Sequence, residues 1–167
     1  MQKPPGDIFI AETAREFARH TLAATAYRAS KVLRDAPASF GSFLSHETSR
    51  TPSMTLAHMG DLFDWALTMV SGKPAWRDSE PLEWTSEIGR FFSSVQRFDE
   101  YLASDQEVHA SLEVLFQGPI ADALTHIGQL AMLRRLAGCP IGGENYAKAE
   151  IVTGQCGLQQ AKPRLEF

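Results

Sequence analysis

Apolar residues recur along most of this chain with the spacing of an amphipathic helix. The clearest run shares one face over about five turns and consists of Trp84, Ile88, Phe91, Phe92, Val95, Phe98 and Leu102. A β-strand alternates its side chains between two faces at every residue, so it cannot produce this stripe. The pattern therefore predicts a helix from Trp84 to Leu102.

Two earlier segments show the same period. The first runs roughly from Ile10 to Leu33 and ends before Pro37, which cannot continue the hydrogen-bond ladder. Its residues predicted to face the core are Ala14, Phe17, Ala18, Thr21 and Leu22. The second begins at Thr51, a typical N-cap, followed by Pro52, which suits a first helical position because no N–H is needed there. It is expected to stop near residues 71–74, where the sequence reads SGKP.

A fourth apolar stripe passes through the octapeptide LEVLFQGP at positions 112–119. Many expression vectors carry this octapeptide as the recognition site of a viral cysteine protease, so it is either native sequence or an engineered change. In both cases it belongs to the fold, because its apolar positions continue the helical pattern around it: Val108, Leu112, Leu115, Phe116, Ile120, Ala123, Leu124, Ile127 and Leu130. The dipeptide Gly118-Pro119 interrupts the stripe, and the proline either kinks one long helix or restarts a second one.

Four long helices joined by polar connections predict an all-α protein, namely a four-helix bundle that forms a single domain over residues 1–167. Its last long helix should be kinked or broken near Gly118 and Pro119. The tail beyond Gly138 is rich in glycine and is expected to form extended loops with one short helix.

Charge and composition narrow the choice of partner. The net charge of −4 and the pI of about 5.7 leave no broad basic surface, which argues against a nucleic-acid partner. No stretch approaches the roughly 18 apolar residues of a membrane span, and the N-terminus lacks the apolar core of a signal peptide. Cys139 and Cys156 form no CxxC pair and are typical of reduced thiols. We expect a cytoplasmic protein with no membrane partner.

Candidate chemistry centres on His58, Asp122 and His126. Asp122 and His126 are four residues apart on the last helix, so both side chains lie on one face with Cβ atoms roughly 5–6 Å apart. His58 can point inward from the second helix to meet them. Imidazole nitrogen and carboxylate oxygen both bind divalent transition metals, so the three residues are predicted metal ligands. Spacing alone also allows a surface hydrogen bond between Asp122 and His126, with His58 as a core histidine.

Other polar groups have two interpretations each. Asp61 follows His58 by one turn and either accepts a hydrogen bond from its imidazole or lies on a solvated face. Arg134 lies at the end of the last helix. Its positive charge either complements the negative end of the helix dipole or binds an anionic substrate. The remaining histidines lack a partner at ligand spacing or lie on loops and polar faces: His20, His46 and His109.

Two segments, TPSMTLAHMGD at 51–61 and DALTHIGQLAMLRR at 122–135, resemble the metal-binding helices of the DinB-like (YfiT-like) bundle proteins. In that family a histidine from the second helix and an H-x3-H pair from the last helix bind a divalent metal, usually zinc or nickel. The resemblance covers nearly the whole chain and implies that His58 is the first ligand and His126 the last. Gln129 stands where a glutamine commonly follows.

The chain departs from the family at Asp122, where the middle histidine is expected. The carboxylate either replaces the imidazole as a ligand, or the site is degenerate and Asp122 lies outside it. Two histidines and one carboxylate are also the ligand set of non-haem iron oxygenases, in a different fold. Iron and manganese are therefore candidate ions beside zinc and nickel.

The resemblance implies metal-dependent chemistry on a small molecule. Better understood relatives transfer groups to or from low-molecular-weight thiols such as bacillithiol or mycothiol, and the ion lowers the pKa of the thiol or of water for attack. S-transfer and hydrolysis are the expected reactions. The competing interpretation is a non-catalytic helical binding or stress-response protein that has lost the metal at Asp122 and forms a homodimer through an apolar helix face.

Overall fold

Four long helical segments pack against one another. The computed structural model describes residues 5–167, and their side chains from residue 12 onward. The segments are α1 (Pro5–Leu33), α2 (Pro52–Val70), α3 (Trp84–Ala103) and a fourth formed by α4 (Leu112–Leu115), a π-helical turn (Phe116–Ile120) and α5 (Ala121–Leu136). Short 3-10 turns occur at Ala38–Ser42 and Tyr146–Lys148. The described residues contain no β-strand, only one isolated bridge between Glu144 and Glu166. The predictions of an all-α bundle and of an interrupted last helix are confirmed.

The helix ends follow the local chemistry of the sequence. The Thr51 hydroxyl accepts a hydrogen bond from the backbone N–H of Met54, and Pro52 occupies the first turn of α2. This end was predicted correctly. Helix α1 begins at Pro5 rather than near Ile10.

Aromatic rings fill the centre of the bundle. Phe63 of α2 packs against Phe91 and Phe98 of α3 with ring centroids 5.9 and 6.4 Å apart. All three side chains are fully buried. Each contributes about 1.5–3 kcal/mol relative to an exposed ring. The pairing holds α2 against α3 and thereby fixes the helix that carries His58.

Proline 119 widens the last helix into a π-helical turn instead of ending it. The N–H of Ala121 reaches the carbonyl of Phe116, five residues earlier. Leu115 before the turn and Ile120 at its end are both buried. The octapeptide is therefore part of the fold, as expected from its apolar pattern.

Two aromatic residues predicted to face the core are exposed instead. Phe17 of α1 is 69% exposed and Phe116 is 49% exposed. With Leu112 they line an open apolar groove of about 400 Å³ between α1 and α4. Val108, also predicted on the helical stripe, precedes α4 in a loop. The periodicity correctly identified an apolar helix face, but it did not show that no other element of the described chain packs against this face.

The C-terminal tail is held to α1 by buried polar contacts. The Tyr27 hydroxyl donates to Glu144 at 2.7 Å, and Lys31 forms ion pairs with Glu144 and Glu166. Burial, followed by the hydrogen bond to Glu144, raises the pKa of Tyr27, so its hydroxyl stays a donor. The tail is loop-rich with one short 3-10 turn, as predicted.

Arg134 is a structural residue. This corrects the interpretation that it binds an anionic substrate. It is buried, and its guanidinium donates to the carbonyls of Val32, Arg34 and Cys139 at 2.9, 2.8 and 2.7 Å. These bonds join the C-terminal ends of α1 and α5. None of the helices within the described residues is long and apolar enough to cross a membrane.

The helical conformation of the octapeptide gives a first prediction. The matching viral protease binds its site as an extended strand, so it should cut the native protein between Gln117 and Gly118 only after this turn opens. With an opening cost of about 3 kcal/mol, cleavage is slower by on the order of 100-fold than for a free peptide. Gel assays on the folded protein and on a synthetic peptide of residues 108–123 measure the ratio. Equal rates would show that the segment is an exposed loop.

Candidate metal centre

Helices α2 and α5 bring three potential metal ligands to one place. His58 lies in the second turn of α2, while Asp122 and His126 project from one face of α5. One donor atom from each residue lies within 4.8 Å of the other two. No second group of three such residues is found among the described part of the chain.

The separations between these donors are long for hydrogen bonds and leave room for an ion. The Nε2 atoms of His58 and His126 each lie 3.4 Å from one oxygen of Asp122. A strong hydrogen bond between such groups measures about 2.7–2.9 Å. Donors at about 2.0–2.2 Å from a tetrahedral ion are about 3.3–3.6 Å apart. The two separations involve different oxygens of Asp122, Oδ2 towards His58 and Oδ1 towards His126, and one ligand atom of each residue lies within 4.8 Å of the other two, so the three residues could hold a metal ion.

A hydrogen bond on the far side of His126 fixes the form of its ring. Its Nδ1 lies 2.8 Å from Oε1 of Gln129, one turn further along α5. An Nδ1–H that donates to this oxygen leaves Nε2, on the side of Asp122, as the atom that could bind an ion. Histidine ligands of metal sites commonly have such a partner.

The site is open on one side. The Asp122 side chain is 44% exposed, whereas His58 and His126 are 22% and 13% exposed. The two histidine rings stand nearly perpendicular, with centroids 5.0 Å apart. Three protein donors with one open side leave coordination positions for water or substrate.

Two tryptophans form an aromatic wall beside His58. Trp76 comes from the loop between α2 and α3, and its ring centroid lies 5.7 Å from that of His58. Trp65 of α2 packs against Trp76 at 5.8 Å, edge to face. The sequence offered one signal for Trp76, namely a tryptophan in a polar loop that begins with glycine and proline.

Asp61 belongs to a buried ionic network, so neither interpretation of it from the sequence is correct. Its carboxylate binds Arg90 at 2.9 Å and accepts from the N–H of Ser79 at 2.8 Å. Arg90 also binds Glu87 at 2.6 Å. Burial lowers the pKa of Arg90, but the hydrogen bonds and charges of Asp61 and Glu87 outweigh it and hold the pKa above its usual value.

The remaining histidines and cysteines stand apart from the site. His20 contacts Thr153, and His46 contacts Thr48 in its own loop. Cys156 is buried, and burial raises the pKa of its thiol to about 12. It therefore supplies no thiolate near neutral pH.

Comparisons with protein-family models, with curated proteins and with solved structures each found no match to this chain. The structure shows a four-helix bundle and a cluster of two histidines and one aspartate that could hold an ion. Membership of the DinB-like family stays a prediction.

Gln129 gives a prediction about metal affinity. Gln129→Ala removes the acceptor that fixes the His126 ring, so zinc affinity should fall about 10- to 100-fold. Gln129→Glu keeps an acceptor at the same position and should retain most of the affinity. Competition with a chromophoric chelator measures both. The same affinity in Gln129→Ala and wild type would remove Gln129 from the site.

Proposed function

We propose that His58, Asp122 and His126 bind one divalent transition-metal ion and that the protein is a metal-dependent enzyme acting on a small molecule. The observation that carries the proposal is the convergence of two imidazole nitrogens and one carboxylate oxygen within 4.8 Å of one another. The DinB-like resemblance supports the same three positions. Zinc or nickel suits the two imidazoles, and the carboxylate also admits iron or manganese.

Residues of the chain bind the ion, orient the His126 ring and leave the centre open to a small molecule. Gln129 contacts Nδ1 of His126 and orients its ring, and Asp122 lies between the two imidazoles and supplies an oxygen donor. The exposed side of Asp122 allows a small molecule to reach the centre from solvent. An ion held there supplies Lewis acidity, which lowers the pKa of a thiol or water molecule that binds to it. We therefore propose a low-molecular-weight thiol as co-substrate and S-transfer as the reaction, with hydrolysis as the variant in which water replaces the thiol.

The second candidate is a non-catalytic binding protein that forms a homodimer. The observation that favours it is the exposed pair Phe17 and Phe116 on the groove between α1 and α4. Large exposed apolar surfaces are typical of interaction sites. This candidate requires no ion, so metal analysis separates the two functions.

Removing a histidine should abolish stoichiometric metal binding. His58→Ala and His126→Ala each leave two protein donors, too few for a stable centre. Each variant is purified, incubated with one equivalent of zinc, desalted and analysed by mass spectrometry for bound metal. His20→Ala is the matched control and should keep one ion per chain, because His20 lies on another face. Unchanged metal content in the double variant His58→Ala/His126→Ala would disprove the site.

Asp122 can be tested separately because aspartate and histidine are both competent ligands. Asp122→His replaces an anionic oxygen donor by a neutral and softer nitrogen donor, so it should keep zinc and lose manganese. Asp122→Ala should weaken both metals sharply. Calorimetric titration of zinc and of manganese into wild type, Asp122→His and Asp122→Ala measures the affinities. If all three proteins bind equally, Asp122 is not a ligand.

A further inference from the structure

The loop from residue 71 to residue 83 places a half-exposed tryptophan beside His58 of the candidate metal centre. Trp76 is 44% exposed. Its ring packs against the rings of His58 and Trp65, with centroids 5.7 and 5.8 Å away. Its indole N–H is used within the loop, where it donates to Asp78 at 3.0 Å. The part of the ring that faces solvent is therefore an apolar surface beside the centre.

Four hydrogen bonds hold this loop in place, and two of them end on the buried carboxylates of Asp61 and Glu87. The N–H groups of Lys73 and Ala75 donate to the carbonyl and hydroxyl of Thr68 at 2.9 and 3.0 Å. The N–H of Ser79 donates to Asp61, and that of Leu82 donates to Glu87, both at 2.8 Å. A loop tied at both ends to α2 and α3 presents its side chains at a fixed position.

Arg90 joins the two carboxylates that bind the loop. It contacts Asp61 and Glu87 and donates to the carbonyl of Ala57, the residue before His58. Gly60 leaves room for the guanidinium, since a Cβ at that position would lie 3.1 Å from the Cζ atom of Arg90. The network therefore sets the position of the loop relative to the turn of α2 that carries His58.

We propose that Trp76 is the wall of the substrate site and selects ligands whose metal-binding atom is attached to an aromatic or similarly planar apolar group. This inference rests on the proposed function, because it needs an ion at His58, Asp122 and His126. Because the indole of Trp76 lies 5.7 Å from the His58 ring, a ligand bound to an ion at the centre lies within reach of that indole. Face or edge contact with that ring favours a planar apolar group over a methyl group.

The expected selectivity follows from the strength of aromatic contacts. A pair of aromatic rings contributes enough beyond its buried area to change affinity about three- to tenfold. A matched pair of probes isolates this contribution: benzohydroxamate and acetohydroxamate share one chelating group and differ in a phenyl against a methyl group. Hydroxamates bind zinc in sites that expand from four to five ligands.

The experiment is calorimetric titration of both hydroxamates into zinc-loaded protein. Wild type should prefer benzohydroxamate, and Trp76→Ala should lower the ratio of the two affinities about three- to tenfold while acetohydroxamate binds as before. Trp76→Phe keeps a ring and should retain part of the preference. An unchanged ratio in Trp76→Ala would overturn the assignment of Trp76. Should Trp76→Ala fold poorly, the Trp76→Phe and Ser79 variants give the answer.

Variants at Ser79 test the anchoring of the loop without altering the ring. Ser79→Pro removes the N–H that donates to Asp61 and should lower the same ratio. Ser79→Ala keeps that N–H and loses only the long 3.5 Å contact between the hydroxyl and Arg90, so it should leave the ratio close to its wild-type value. Equal ratios in both variants would overturn the role of the anchor. Zinc content is measured first. A wild-type protein that binds none of zinc, nickel, iron and manganese overturns the proposed function together with this inference, while metal binding with a constant ratio overturns the inference alone.

Discussion

A proline inside the last long helix is the constraint on which the site depends. Pro119 has no N–H to donate, and the helix accommodates it by widening into a π-helical turn. In a regular α-helix, residues five apart lie about 140° apart around the axis. Leu115 and Ile120 are five apart and both buried, because the wider turn restores their common face. Helix α5 therefore leaves the turn with Ala123 and Ile127 in the core, and Asp122 and His126 beside α2.

A second constraint is the burial of charge between α2 and α3. Removing one partner of a buried ion pair costs about 3–5 kcal/mol, because the other is left without compensation. Asp61, Glu87 and Arg90 avoid this cost by pairing, and the two carboxylates also accept hydrogen bonds from the loop N–H groups of Ser79 and Leu82. This structural network also affects the candidate site, because the loop that it holds carries Trp76 beside His58.

The errors in the sequence interpretation share one physical cause. Phe17 and Phe116 lie on apolar faces, and periodicity reports which face is apolar but not whether another element covers it. Asp61 and Arg134 were interpreted from their neighbours along the helix. Their partners are distant in sequence: Arg90 is 29 positions from Asp61, and Val32 is 102 positions from Arg134. No local pattern contains such a pair.

The sequence by itself determined the four helical segments, the cap at Thr51, the position of the interruption at Pro119 and the pairing of Asp122 with His126 on one helix face. These features depend on residues within a few positions of one another, such as the i,i+4 spacing of Asp122 and His126 or the Thr51 cap. Tertiary structure alone decided that His58 meets that pair with donor atoms within 4.8 Å, and that Trp76 lies beside it. Those contacts arise from the packing of α2 against α5 and from a loop held by buried charges. Side chains far apart in the chain meet only once the core has set the distance between the helices.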